Sequence, residues 1–571
     1  MLPWLCLTLA AYAATIAVTG GFEVNLAGIR LRSHSWARPA LAAAVVAVVW
    51  TILARARVLS AAATAWSLLD SPGASRLVAA VAASWTLAAS IAFGTFAAGG
   101  ADSYGYVSEA RLLARLQLTD ALPLTVDWPW PEARASLTPL GYVPSPTPGR
   151  IAPTYPPGYP LLMAPLHIVY PDAVYAVVPV LGVLLVWLTY FVGRRHLRDP
   201  LAAAVAALLL SASPVLLVQL VQPMSDVPAA AAWLAAFAAA LCGTTRSAAA
   251  AGVCEALAIL IRPNLAPLAL LIYAGVGLAG PREQLGRRLL AASLPLAAGL
   301  IVLGAVQDVR YGSWRASGYA SFGELFAAAN IRPNLERYPR WLTDTHHWFI
   351  WLWIAAPIWL VIDKRPRPTN IAVSVAWLFC AGVIAAYLPY AFFQPQEWTY
   401  SRFLLPALPL MLLLGSVIAL SAIRMLPTPL RPVAAGIGTV ALVWFMIGRA
   451  HGLGVFELRH IERDYPAVGQ HLRERLPVNA VFFSVQHSGS IRLYADRPIV
   501  RWDRVDPGWL DEAITALRER GYATYLVTAP GELTAFRERS EQKGQSAAQR
   551  LTPLVTIGRS AVYELTASAR R

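Results

Sequence analysis

The sequence predicts a mainly α fold, a polytopic transmembrane helical bundle of about thirteen helices with a small α/β domain outside the membrane after residue 450. Three observations predict it. The chain has 571 residues, of which 57% are hydrophobic and only 14% charged, far from the balance of a soluble globular protein. Apolar stretches of membrane length recur between residues 2 and 449, and beyond 450 the pattern turns polar and mixed. Arginine and lysine gather in alternate short loops, as they do where cytoplasmic positive charge sets topology.

In order, the expected spans are 2–19, 38–55, 77–98, 173–193, 201–221, 228–243, 247–261, 264–280, 289–306, 347–362, 370–393, 402–423 and 431–449. No basic residue precedes the first and no clear small-residue cleavage site follows it, so it is expected to stay as a helix. The basic loops hold Arg55, Arg57 and Arg76; Arg194, Arg195 and Arg198; Arg246; Arg282, Arg287 and Arg288; Lys364, Arg365 and Arg367; Arg424 and Arg431. With these loops and the N-terminus cytoplasmic, the odd number of spans puts residues 99–172, 307–346 and everything after 450 on the outer side. Much of the net charge of +15 lies in these loops, where anionic headgroups are the natural counter-charge, so nothing calls for nucleic acid. Ala-rich helices and Arg in place of Lys point to a bacterial inner membrane. Cys6, Cys242, Cys254 and Cys380 all fall in apolar spans, which offers neither a disulfide framework nor a CxxC metal site.

Three regions follow: two N-terminal helices in 1–75, a transmembrane module in 76–450, and an α/β domain in 451–571. The break at 99–172 is too long for a connector. Within it, Tyr106 to Leu118 reads as an amphipathic helix in the interface plane. The proline-rich run from Pro123 to Pro165 reads as irregular and stiff. Residues 307–346 form a second outer loop that would roof a cavity with the first. In the C-terminal region, helices are expected at 456–476, 509–520 and 533–542, and strands at 478–485, 523–528 and 561–565. No Gly-rich phosphate loop occurs there.

Asp102 opens the outer loop directly after a Gly-Gly-Ala turn, which places a carboxylate at the membrane surface; a helix cap is the alternative. Glu109, Asp127 and Glu132 are further acids in that loop, and candidates for the acceptor or for a second acid. Arg262 and Arg402 stand at outer ends of spans, against the positive-inside trend, where a guanidinium offers forked donors to a phosphate. A snorkelling arginine is the alternative for Arg262. Asp226 sits at another outer turn, where capping explains it equally well. Glu255 lies inside a span, a costly place for an acid unless it acts or bonds a neighbouring helix. His346 and His347 read as interfacial. His487 beside Ser488 has no acid partner placed for nucleophilic catalysis.

Asp102, Asp226, Arg262 and Arg402 fall within a series of six motifs: Gly-Gly-Ala-Asp-Ser-Tyr-Gly-Tyr at 99–106, Tyr-Pro-Pro-Gly-Tyr-Pro-Leu-Leu at 155–162, Pro-Met-Ser-Asp-Val-Pro at 223–228, Ile-Arg-Pro-Asn-Leu at 261–265, Tyr-Gly-Ser at 311–313 and Arg-Phe-Leu-Leu-Pro at 402–406. In their order they resemble bacterial GT-C glycosyltransferases, nearest the protein O-mannosyltransferase and aminoarabinose transferase group, over roughly residues 76–425. The resemblance implies a polyprenyl-phosphate sugar donor used at the outer face, a catalytic acid at Asp102 and a phosphate-binding base at Arg262, where the family often has Lys. It makes Arg402 a second phosphate ligand and Tyr104, Tyr155, Asp226, Asn264, Tyr311 and Glu397 supporting residues. Two features depart from the family: two extra spans precede the catalytic loop, and Asp127 competes with Glu132 as second acid.

The implied chemistry is inverting transfer, with Asp102 taking the proton of an acceptor hydroxyl as the polyprenyl phosphate leaves. The acceptor would be a glycan, lipid or protein. Asp-Ser-Tyr is not a DxD pair, so a divalent metal has no support in the sequence, and no redox cofactor is called for. A secondary transporter or a lipid flippase is the rival reading; transporters usually carry internal repeats, and no matching halves are found.

Overall fold

Each of the thirteen apolar stretches coincides with a helix or a helix pair in the computed structural model, which describes residues 2–19, 22–26, 29–33, 35–53, 55–124, 127–319, 321–392 and 397–566. Residue 54 of the second expected span, 125–126 of the proline-rich run and 393 at the end of the eleventh span lie outside them. Among the described residues, five helices are straight, long and apolar enough to cross a membrane: Pro72–Phe93, Pro171–Leu197, Arg282–Tyr311, Arg367–Tyr387 and Thr428–Gly452. Three more candidates are bent pairs, Pro200–Ala212 with Pro214–Leu220 at 58°, Ala328–His346 with Trp348–Ile362 at 115°, and Trp398–Leu404 with Leu408–Arg424 at 83°. The other five stretches fall on shorter helices.

Local chemistry accounts for the breaks. Pro214 has no N–H to continue the preceding helix, and the Ser213 hydroxyl instead accepts from Leu216 N at 3.3 Å to start the next one. His347 adopts φ +59°, a conformation that a non-glycine side chain holds only when its surroundings enforce it. Its neighbour His346 is buried and bonds Ser213 Oγ at 2.7 Å, so two of the bends are tied together. His346 is therefore a packed residue and not an interfacial one; His347 is exposed.

The chain forms two compact units, Met1–Ala74 with Leu420–Gly438, and Ser75–Ala419 with Thr439–Arg571. In the first, helices Leu2–Thr19 and Ala37–Leu53 are joined by an antiparallel hairpin, Phe22–Leu26 with Ile29–Ser33. A further helix, Arg55–Leu69, follows. The second unit holds everything described below. In it, helices Thr245–Ile261 and Leu285–Tyr311 approach through small residues: a Cβ on Gly252 would lie 2.1 Å from Ala292 O, and one on Gly299 2.7 Å from the Ala256 methyl. Glu255 is sealed there at 0% exposure, and among the described residues neither of its carboxyl oxygens has a hydrogen-bond partner; the expected bond to a neighbouring helix is not made.

Both segments expected on the outer side, 99–172 and 307–346, are more ordered than expected. The proline-rich run is not irregular throughout, since Asp120–Ala121, Tyr142–Pro144 and Arg150–Pro153 form a three-stranded antiparallel sheet with the last strand central. An apolar helix, Gly158–Val169, follows it. The amphipathic stretch is a helix, Asp102–Ala114, but residues 103–110 and Leu112 are all buried, so it is packed in protein and not laid on the interface with a polar face outward. Within 307–346 the chain forms helix Ile331–His346, held by Asn334 Nδ2 donating to Leu388 O and Tyr390 O, both at 2.8 Å.

The C-terminal region is a five-stranded mixed sheet in the order Ile499–Val500, Ala480–Phe483, Ala523–Thr528, Ser560–Leu565, Leu551–Ile557, parallel across the first three strands and antiparallel beyond. The first and last of these strands were not expected, and the helix expected at 456–476 is broken into Leu458–Glu462 and Asp464–Arg475. Alternation along Ala480–Phe483 turns Ala480 and Phe482 toward Val468 and Leu472 of the latter helix. Val481 and Phe483 instead join Leu112, Leu122, Trp130 and Ile151 of the segment 99–172 in one core. The segment 99–172 and the C-terminal domain are thus folded against each other.

Candidate active site

Asp102 is the first residue of helix Asp102–Ala114, and the turn before it is clamped from the C-terminal domain. Ala98 N–H donates to the Tyr494 hydroxyl at 2.8 Å, and a Cβ on Gly99 would fall 2.0 Å from the Tyr465 ring, so only glycine fits. One turn on, Gly105 leaves room for the Tyr155 ring, 2.3 Å from where a Cβ would stand. That close approach lets the Tyr155 hydroxyl donate to Asp102 Oδ1 at 2.6 Å, while Arg402 Nη2 donates to Oδ2 at 3.0 Å. The carboxylate keeps 31% of its surface open, so it is held in place and still reachable. Among the described residues it accepts no backbone N–H of its own helix, so the capping alternative is not what the structure gives.

The second pair sits beside the first. Arg262 Nη2 meets Asp226 Oδ1 at 2.6 Å and Nη1 donates to the Tyr387 hydroxyl at 3.1 Å. Asp226 is fully buried and Arg262 nearly so, which excludes both a simple cap for Asp226 and a snorkelling role for Arg262. The Phe403 ring links the pairs: the Arg262 guanidinium lies 5.0 Å from its centroid and that of Arg402 5.3 Å. Tyr387 stacks on the same ring at 5.0 Å. Two guanidiniums sharing one aromatic neighbour, each balanced by one carboxylate, form a neutral cluster.

Tyrosines wall the site. Tyr106, one helical turn after Asp102, bonds Ser225 Oγ at 2.8 Å and packs 4.7 Å from Tyr155 and 5.1 Å from Tyr159. Tyr319, from the segment 307–346, lies 5.9 Å from Tyr155. Burial, with the Asp102 charge adding to it, pushes the Tyr155 phenol well above its ordinary value, so it remains a proton donor toward the carboxylate.

The other sequence candidates stand elsewhere. Glu109 is buried and ion-paired with Arg310 at 2.6 Å, and Tyr311 donates to Pro153 O at 2.6 Å; these residues brace the segment 99–172. Tyr104 packs on Gly489 and, at 5.6 Å, on Tyr142. Asp127 and Glu132 are exposed, and among the described residues neither pairs with Arg262 or Arg402. Asn264 is half-buried in the turn after Arg262. Glu397 is exposed and accepts from Thr399 Oγ1 at 3.2 Å. His487 bonds Ser560 at 2.8 Å and Ser488 donates to its own turn at Val485 O, so they form no nucleophilic pair. Among the described residues, no three His, Cys, Asp or Glu side chains gather as a metal site. Sequence reasoning missed Tyr106, Tyr387 and Phe403. The spacing of Tyr106 from Asp102, one turn along a helix, was a usable signal; Tyr387 carried none, since only folding brings it to Arg262.

No protein-family model matches the chain, and no curated protein matches it either. Among solved structures, ArnT from Cupriavidus metallidurans bound to undecaprenyl phosphate is similar over 86% of this chain and 98% of that one, at 14% identity and a TM-score of 0.51. Its apo form matches at 13% identity and the same TM-score over 86% and 97% of the two chains. The Archaeoglobus fulgidus oligosaccharyltransferase in complex with Zn and sulfate matches at 13% identity and a TM-score of 0.48, over 86% of this chain and 73% of its own. The chain therefore shares its fold with these ArnT structures.

Proposed function

We propose that this protein is an inverting glycosyltransferase that moves a sugar from a polyprenyl-phosphate donor to an acceptor hydroxyl at the outer face of a bacterial inner membrane. The observation that carries the reading is the joined arrangement of a reachable carboxylate, Asp102, with two arginines on one ring, Arg262 and Arg402. The fold shared with an ArnT structure that holds undecaprenyl phosphate supports it. In the reaction, the donor phosphate competes with Asp102 for Arg402, and the freed carboxylate takes the acceptor proton. The acceptor oxygen attacks the anomeric carbon from the face opposite the phosphate, and the bond to the phosphate oxygen breaks with its electron pair. Arg262 and Arg402 stabilise the charge gathering on that oxygen. The Tyr155 donor holds the base on its attack line, and the bilayer holds the lipid at constant depth.

The test is sugar release from a panel of polyprenyl-phosphate sugars by the full chain in lipid, wild type against Asp102→Asn, with matched thermal unfolding. Asparagine keeps the shape and the bond from Tyr155 but is no base, so turnover is expected to fall by about 10²–10⁴-fold. Undiminished turnover in the variant would remove Asp102 from the role of base. A wild type inert with every donor would sink the transfer reading itself.

A further inference from the structure

A groove of about 530 Å³ lies apart from the Asp102 cluster, where helices Pro72–Phe93 and Thr428–Gly452 end and the C-terminal domain begins. Phe93 and Phe456 form its apolar floor, their rings 4.6 Å apart. Around the floor stand Arg459, Arg463, His451 and His460, against one acid, Glu457. Arg459 Nη1 donates to Ala92 O at 2.7 Å and Ile91 O at 3.5 Å, capping a helix C-terminus where a cation offsets the dipole. Among the described residues, the side chains of Arg463, His451 and His460 take no hydrogen bond or ion pair, and Glu457 pairs with none of them. Among the residues that line the groove, one unpaired carboxylate therefore stands against four basic side chains.

Its setting indicates where the counter-charge comes from. Leu87 and Ile91 on one helix, and Val440 and Trp444 on the other, are exposed, so apolar faces run from both helices up to the groove. An exposed apolar band that ends in cations matches the boundary between hydrocarbon and headgroups. Arg76 and Arg431 sit at the opposite ends of these two helices, so topology-setting charge does not explain the cluster. We propose that the groove binds the phosphodiester headgroup of an anionic bilayer lipid, with Arg459 and Arg463 as the main ligands and the acyl chains lying along the exposed faces of the two helices. Such a lipid ties the C-terminal domain to the membrane at the helix that leads into the Asp102 turn.

The proposal does not depend on sugar transfer, and its test reads lipid directly. The full chain in detergent micelles is offered equal amounts of phosphatidylglycerol and phosphatidylcholine, and retained lipid is counted by native mass spectrometry. Wild type is expected to prefer phosphatidylglycerol by about tenfold, and the double variant Arg463→Gln with His460→Gln, which leaves the Arg459 cap intact, to lose most of that preference. Should the variant fold poorly, the wild type alone decides: at ~0.5 M salt its preference is expected to shrink, as screening requires. Equal retention of the two lipids, a preference untouched by variant and salt, or displacement of phosphatidylglycerol by equimolar inorganic phosphate would each overturn the assignment of a lipid headgroup.

Discussion

His487 shows how burial alone decides a residue's part. Its position beside Ser488 invites a nucleophile reading, yet the ring is 1% exposed and bonded to Ser560, and burial pushes its pKa down to about 4. Above pH 6.5 the ring is neutral in both folded and unfolded chains, so its contribution is fully present there. As pH falls from 6.5 toward 4, the unfolded chain binds a proton that the folded one refuses, and stability declines by up to roughly 3 kcal/mol. Thermal unfolding between pH 7.5 and 4 is expected to show this decline in wild type and a flatter profile in His487→Gln. Equal slopes would mean that the ring is not held neutral. Asp102 shows the opposite case: its carboxylate is partly open and doubly bonded, which suits a group that must meet a substrate.

At the scale of elements, the helix Asp102–Ala114 is fixed by a buried ion pair to helix Leu285–Tyr311. Arg310 also donates to Leu118 O at 3.2 Å and Tyr155 O at 3.3 Å, so one guanidinium joins three points of the segment 99–172 to a membrane helix. Glu109→Ala strands that cation at 1% exposure, and is expected to cost about 3–5 kcal/mol. The double variant Glu109→Met with Arg310→Met should recover much of the loss, because it removes both buried charges together. Thermal unfolding in detergent distinguishes the two; a silent Glu109→Ala would show that the pair does not hold the helix. Of this arrangement the sequence displayed the helix and the acid. It did not display the partner, which lies 201 positions away along the chain.

On the scale of the whole molecule, the segment 99–172 and the C-terminal domain share one hydrophobic core. A chain cut after residue 450 therefore exposes Leu112, Leu122, Trp130 and Ile151, and is expected to lose order around Asp102. Limited proteolysis reads this: cleavage within 99–172 should rise sharply in the truncated chain. Unchanged protection there would show that the segment 99–172 stands by itself. The same core explains why the sequence of this segment shows no strand pattern. Its strands are two to four residues long, too short for a period-two pattern, and exist only because a neighbouring domain covers them.

By itself the sequence determined where the helices lie, because a long apolar run in lipid has to satisfy its backbone internally, and it marked the acid and the two arginines by their odd placement at the ends of spans. Only the tertiary structure decided which charges meet. Asp102 with Arg402, and Arg262 with Asp226 and Tyr387, are brought together from 300, 36 and 125 residues apart. Ion pairs and ring stacking act over a few ångströms and leave no period in the chain; helix hydropathy acts through the local repeat and does.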